Sequence, residues 1–184
     1  MKHMISGQVL LIVCCALYLV FWSLGYRPGA ETSRFRTSTM IFLVLTALSG
    51  LAGTGLTIAG MNSLTMVRKT AVPGWVICIA GIVLYVVLLG VTGVWMHRPV
   101  TTELFLITGW LVLELCMIHS LGGAGMGKAR LTAMLVIILA AWAVSMVLYA
   151  LYYRMDGMKA YYAAMVPLIT EAAGMAGCLL CICL

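Results

Sequence analysis

With 184 residues, 64% of them hydrophobic and 9% charged, this chain has too little polar surface to make a water-soluble domain. Its mean hydropathy of +1.14 fits a chain folded in lipid, and nearly all of it lies in or beside apolar segments of the roughly 20 residues that cross a hydrocarbon layer. The formal net charge of +6 comes without a dense basic run or a nucleic-acid-binding motif, so it reads as topology signals and contacts with membrane lipid headgroups, not as a nucleic-acid surface.

Six membrane-spanning helices are predicted over about 5–25, 38–62, 73–96, 103–121, 131–153 and 160–184. The expected fold is an all-α membrane protein with one integral domain, 1–184, built as hairpins over about 5–62, 73–121 and 131–184. Lys2 before the first apolar stretch resembles the start of a secretion signal. However, Phe21-Trp22-Ser23-Leu24-Gly25-Tyr26 runs into Arg27-Pro28 without a small-residue cleavage site, so a retained helix is expected. Tyr26 to Thr37 is the longest polar stretch. The 63–73 link carries Arg68 and Lys69 and ends at Pro73, a good first-turn residue. His97-Arg98-Pro99 marks a turn after which Thr101 or Thr102 is placed to cap the fourth helix. Gly122 to Gly127 reads as a flexible link, lacking the GxxxxGK[ST] pattern and the preceding strand of a phosphate loop. Met155-Asp156-Gly157 makes the last tight turn. Short links favour antiparallel neighbours. Lys2, Arg68, Lys69, Lys128 and Arg130 fall on one side, and Arg27, Arg34, Arg36, Arg98, Arg154 and Lys159 on the other, so charge favours neither orientation strongly.

An internal echo overlies these segments. Phe42-Leu-Val-Leu-Thr46, Leu104-Phe-Leu-Ile-Thr108 and Val166-Pro-Leu-Ile-Thr170 recur at one fixed spacing, each in the second helix of a hairpin. Arg36 and Arg98 keep the same spacing, and Ala160 stands in the third copy. A period of roughly 60 residues marks one supersecondary unit used repeatedly. Three hairpins around a common axis can leave a central path, which suggests transport.

Cys14, Cys15, Cys78, Cys116, Cys178, Cys181 and Cys183 all fall inside predicted helices, where thiols pack as small soft hydrophobes. The CxxC string Cys178-Leu-Leu-Cys181 has too few companions for a zinc centre. Ser49, Gly53 and Thr57, then Gly55 and Ala59, then Ala173 and Gly177, repeat at a spacing of four. Such faces let helices approach closely in lipid; their spacing does not separate plain packing from a narrow central passage.

Polar residues within the spans are the sharper clues. Glu171 sits about 11 residues into the last predicted helix, roughly 16 Å from its start and near mid-membrane. A carboxyl group there costs several kcal/mol if it faces lipid, so it should face the bundle interior or water. It then serves either as hydrogen-bond glue between helices or as a polar station for a permeating neutral solute or a proton. Glu114 and His119, five residues apart, lie about 140° apart around a helix, which excludes an acid/base pair on one face. Glu103 suits a helix start, and His119 is near a helix end. No nucleophile motif and no carboxylate pair appears, so no enzyme is expected. Tyr85 and Trp142 lie inside helices, away from the interfacial belt suggested by Tyr18, Trp22, Tyr149, Tyr152 and Tyr153. They are ordinary packing or, facing inward, an apolar constriction passing small uncharged planar molecules.

The strings Val9-Leu-Leu-Ile-Val13 with Leu24-Gly25, Leu84-Tyr85 with Thr92-Gly93 and Arg98-Pro99, Ala141-Trp142-Ala143-Val144, and Ile169-Thr170-Glu171 carry a resemblance. In architecture most of the chain resembles the urea and short-chain amide channel family (AmiS/UreI). The resemblance implies passive passage of urea or small amides through a central pore in each protomer of a homo-oligomeric ring, a hexamer where known, in a bacterial inner membrane. It places Tyr85 and Trp142 at the constrictions, Glu171 as a polar pore residue and Leu84 as a lining residue beside Tyr85. No cofactor, metal or energy source is implied. Departures bear on the solute. Val20-Phe21 stands where the family has Asn-Gly, Met146 replaces a second Trp, and the Tyr149–Tyr153 region replaces a Glu near that helix's end. The 63–73 and 122–130 links carry no His, so acid gating through His-rich loops is not expected. A Met- and Tyr-lined path suits something less polar than urea. Two other classes remain open: a six-helix substrate-binding or carrier subunit working with a partner, and a membrane interaction protein without a pore.

Overall fold

A computed structural model of the chain describes residues 1–27, 36–65, 75–96, 102–152 and 154–184. They form six helices, α1 (Lys2–Gly25), α2 (Arg36–Thr65), α3 (Trp75–Met96), α4 (Thr102–Gly123), α5 (Lys128–Tyr152) and α6 (Gly157–Cys183). Every one is long and apolar enough to span a membrane. Helix is what lipid demands, because each backbone N–H and C=O must find a partner within the chain. Arg68, Lys69, Pro73, the His97-Arg98-Pro99 turn, Thr101 and most of the Tyr26–Thr37 stretch lie outside the described residues, as do the side chains of Arg36, Thr102, Glu103 and Tyr153.

The helices run up to three residues past the boundaries read from hydropathy. Lys128 and Arg130 belong to the first turns of α5 rather than to the link, since long basic side chains continue a helix while their charged ends reach the interface. The 122–127 link, expected to be flexible, is a hydrogen-bonded turn. The Met126 N–H donates to the Leu121 carbonyl (3.0 Å) and the Gly125 N–H to the Gly122 carbonyl (3.1 Å). Gly125 supplies the left-handed step at φ 91°, the backbone state that glycine allows at a helix end. Gly157, at φ 60°, makes the corresponding step into α6.

The six helices pack unequally. α1 and α2 approach most closely, α5 and α6 next, while α3 meets α4 alone among the described helices. The other five close a ring in the order α1–α2–α4–α5–α6 and back to α1, with α3 behind α4. Half of the α4 span is buried against 11% of the α3 span, which makes α4 the most enclosed of the six helices and α3 the most exposed. Met4, Met117, Leu121, Met134, Ile138 and Met175 are fully buried and fill the ring. Across the α3–α4 seam the Cys78 and Cys116 Sγ atoms stand 4.0 Å apart.

The α1–α2 seam explains the spacing of Gly53 and Thr57. A methyl group on Gly7 would lie 2.6 Å from the Thr57 backbone nitrogen and 2.7 Å from the Gly53 carbonyl oxygen. One on Gly60 would lie 2.6 Å from the Met4 backbone nitrogen. Two backbones in direct contact are what small residues permit in lipid. Gly55, by contrast, has open space around it. Gly7→Ala should therefore part α1 from α2 and cost about 1–3 kcal/mol by overpacking, read as a lower melting temperature in detergent, whereas Gly55→Ala leaves the melt unchanged. Equal melts for the two variants would show that the seam is not packed as described.

Candidate functional site

Three helices turn a polar residue into the ring. On α4 the stripe Ile107, Leu111, Glu114, Met117 and Leu121 is buried at helical spacing, with Glu114 in its middle. On α1, Met4, Gln8 and Cys15 are buried; on α6, Glu171, Met175, Cys178 and Ile182 are buried. In each case the polar side chain occupies the inward face of an otherwise apolar helix. That placement follows from the cost of turning an amide or a carboxyl toward lipid.

Gln8 and Glu114 meet directly. The Gln8 Nε2 donates to Glu114 Oε1 at 2.8 Å, and both residues are 0% exposed. Backbones of α1 and α4 do not approach within 8 Å between Cα atoms, so two long side chains span the interior to make this bond. Glu171, 6% exposed, lies fourteen residues after Gly157, about 21 Å along α6. It is an electrostatic neighbour of Cys15 on α1, as Glu114 is of Cys178 on α6. Trp110, one turn before Glu114, fills the space over Gly174, three residues past Glu171. A methyl group on Gly174 would sit 3.4 Å from the Trp110 ring and 3.3 Å from Ala141 Cβ. These contacts put Gln8, Glu114 and Cys178 at one level of the ring interior, and Glu171 with Cys15 at another, seven residues or about 10 Å along it.

Much of the interior's hydrogen-bonding capacity is unused. Gln8 Oε1, Thr108 Oγ1, Trp110 Nε1, Glu114 Oε2, Trp142 Nε1 and Glu171 Oε1 are buried without a hydrogen-bond partner. An unpaired buried polar group costs about 1–3 kcal/mol, so several within one small bundle are more than packing calls for. Among the described residues no Lys or Arg is buried. Pro167, one turn before Glu171, has no N–H to donate and frees the Ala163 carbonyl. Ser145 on α5 is fully buried and reaches the Pro167 carbonyl at 3.5 Å.

The residues singled out from the sequence fall in two groups. Glu171 and Trp142 belong to the interior zone. Tyr85 lies on the outlying α3, packs edge-on against Phe105 at 5.7 Å, and joins Trp142 and Met146 around a smaller cluster of Leu104, Ile107 and Tyr149. Leu84 is half-buried against the main core. Of the recurring threonines, Thr46 and Thr170 donate to the carbonyl four residues back, Phe42 and Val166, at 2.8 Å each, whereas Thr108 Oγ1 has no such bond. Val20 points outward and Phe21 inward. Trp22 donates to the Tyr161 carbonyl at 3.3 Å and stacks on Tyr26 at 4.4 Å, inside an aromatic end of the bundle. Gln8, Glu114 and Trp110 were not singled out as site residues. The signal was there for Gln8, the chain's one glutamine and set within an apolar helix, because the rule that flags Glu171 flags any intramembrane amide or carboxyl.

Gln8→Ala leaves the Glu114 carboxyl unpaired and should cost about 1–3 kcal/mol of stability. Adding Glu114→Ala should recover part of that loss, so that a double-mutant cycle read by unfolding in detergent gives a coupling above ~0.5 kcal/mol. Strict additivity would break the link. Comparison with protein-family models, with curated proteins and with solved structures gives no match, so function is argued from the chain's own residues.

Proposed function

We propose that the chain is a membrane transport protein that passes a small neutral solute, such as urea or a short-chain amide, through the interior zone around Gln8, Glu114 and Glu171. The observation that carries this is the number of buried donors and acceptors without partners inside the bundle: Trp110 Nε1, Trp142 Nε1, Thr108 Oγ1, Gln8 Oε1, Glu114 Oε2 and Glu171 Oε1. An amide carries both a carbonyl acceptor and N–H donors, and exchanges its water shell for these groups without a charge crossing lipid. Trp142 and Glu171 hold the roles that the family resemblance gives them. Tyr85 and Leu84 are kept as the lining residues of the resemblance, although α3, which carries them, packs behind α4 and outside the ring.

The finer architecture is part of the same proposal. In it, three hairpins marked by Thr46, Thr108 and Thr170 repeat around the path, and copies of the chain associate as a homo-oligomer, hexameric by resemblance, in a bacterial inner membrane. The outward face of α3, with Ile82, Val86, Val87 and Val94 exposed, is the surface offered to such neighbours. One observation favours a second form of transport. The methionine side chains that fill the ring close it to a standing column of water, as in a carrier subunit that occludes its substrate and works with a partner.

Stopped-flow uptake of urea, acetamide and glycerol into proteoliposomes tests these. Fast, non-saturating flux altered by Glu171→Gln or Trp142→Ala is expected for passive passage. Saturable uptake favours the carrier form. Flux equal to that of empty vesicles, with the protein folded, overturns both.

A further inference from the structure

Two thiols face each other on the outer seam of the bundle. α3 touches α4 alone among the described helices, and three contacts along that seam fix an antiparallel register. Cys78 stands against Cys116, with their Sγ atoms 4.0 Å apart. One turn on, Gly81 stands against Val112: a methyl group on Gly81 would meet Val112 Cγ2 and lie 3.4 Å from Val112 Cβ. Further along, the Tyr85 ring packs edge-on against Phe105 at 5.7 Å. The missing side chain at Gly81 lets the two helices close at this level. Cys78 and Cys116 lie one turn to its side, on the facing stripes of the same two helices.

The two sulfurs differ in access. Cys78 is exposed and stands three residues after Trp75, where α3 begins, so a reagent dissolved in the membrane or at its edge can reach it. Cys116 is half-buried and packs against the main core. The other cysteines are placed differently. Cys15 and Cys178 are buried, Cys14 donates to the Thr46 carbonyl at 3.3 Å, and Cys181 and Cys183 share α6 with Cys178. Among the described residues, Cys78 and Cys116 are the cysteines in contact across two helices. An accessible thiol beside a sheltered one is the arrangement of a cysteine that is oxidised next to a cysteine that resolves it.

We infer that Cys78 and Cys116 are a site of reversible oxidation by an organic hydroperoxide, such as a peroxidised lipid chain, and that they close to a disulfide tying α3 to α4. In the first step Cys78 Sγ attacks the hydroxyl-bearing oxygen of the peroxide. The O–O bond breaks, an S–O bond forms, and the thiol proton goes to the departing alkoxide, leaving a sulfenic acid on Cys78 and an alcohol. In the second step Cys116 Sγ attacks the Cys78 sulfur. The S–S bond forms, the S–O bond breaks, and the hydroxyl leaves as water with the Cys116 proton. Two electrons pass from the thiols to the peroxide, and a dithiol reductant returns them by exchange. The sulfurs must draw in from 4.0 Å to the ~2.0 Å of a disulfide. Side-chain rotation and a small shift of α3 supply this, because no other described helix holds α3. The product is uncharged, as an apolar setting requires. It joins residues 38 apart in the chain, so the linked protein should melt at a higher temperature than the reduced one. The inference is independent of the transport reading.

The test uses the full chain in proteoliposomes, reduced, freed of reductant and exposed to cumene hydroperoxide. Free thiols are then blocked with N-ethylmaleimide and the digest is read by mass spectrometry. The expected result is a peptide pair joining Cys78 to Cys116, two hydrogens lighter than its separate parts and lost on reduction, with Cys15 and Cys178 still thiols. In Cys116→Ser the pair should be lost and dimedone should trap the sulfenic acid on Cys78. In Gly81→Leu, which keeps both thiols but parts the helices, the pair should be lost as well. Free Cys78 and Cys116 in folded, peroxide-treated protein, or a pair joining other cysteines, overturns the inference. A pair that forms as readily in Gly81→Leu overturns the seam geometry behind it. Cys116→Ser without a dimedone adduct on Cys78 overturns the order of steps, and equal melts of linked and reduced protein overturn the tie between the helices. Should the variants fail to fold, the native chain still decides through the linked pair and the melt.

Discussion

A hydrogen bond that crosses the interior of a membrane bundle is the contact around which the rest of this structure is arranged. Gln8 and Glu114 sit on helices whose backbones stay apart, yet their side chains meet at 2.8 Å. Lipid offers neither group a partner, so the chain must turn both inward and must bring α1 across from α4. Once that bond is set, the order of the ring follows. α2 and α5 flank α4, α6 closes against α1, and α3 is left on the outside. The bond also sets two demands. α1 must be held firmly, and the remaining lone pairs of both groups must be met by something else.

The first demand is met by small residues. Gly7 against Gly53 and Thr57, and Gly60 against Met4, bring α1 and α2 into backbone contact. Gly174 on α6 leaves room for the Trp110 ring of α4, a side-chain contact. Dispersion from such close fits replaces the hydrophobic drive that lipid cannot provide between helices. The second demand is left open by the protein itself. Carboxyl, amide, indole and hydroxyl groups from four helices stay without protein partners, and the proposed function takes these groups as the ones a passing solute would meet.

Much of the architecture was legible from residues alone, because helix in a membrane follows from length and hydropathy. All six spans stand within three residues of where hydropathy put them, and one of the larger differences falls where Lys128 and Arg130 extend a helix toward the interface. The placement of Glu171 toward the interior follows from cost alone. The partnering of helices was not legible. A repeat in sequence, such as Thr46, Thr108 and Thr170, fixes equivalent positions along the chain but not equal packing. Here Thr108 lies on the most enclosed helix and differs in its hydrogen bonding from the other two. Gln8 and Glu114 are 106 residues apart in sequence, and no local pattern joins them. The turn at Gly125 was hidden for a different reason, since a run of glycines reads as loose until one of them is seen to take the left-handed step of a helix end.

Because Gln8 is the chain's one glutamine, its contact with Glu114 can be measured directly in lipid. Solid-state NMR on the native chain in bilayers, with the glutamine side-chain nitrogen carrying 15N and the glutamate carboxyls carrying 13C, reads one nitrogen against the carboxyl carbons. The structure predicts dipolar dephasing of that nitrogen by a single carboxyl, at the short separation of a hydrogen-bonded pair, and its loss in Glu114→Ala. Folded protein without dephasing, or with dephasing that survives Glu114→Ala, would contradict the interior link and the helix arrangement built around it.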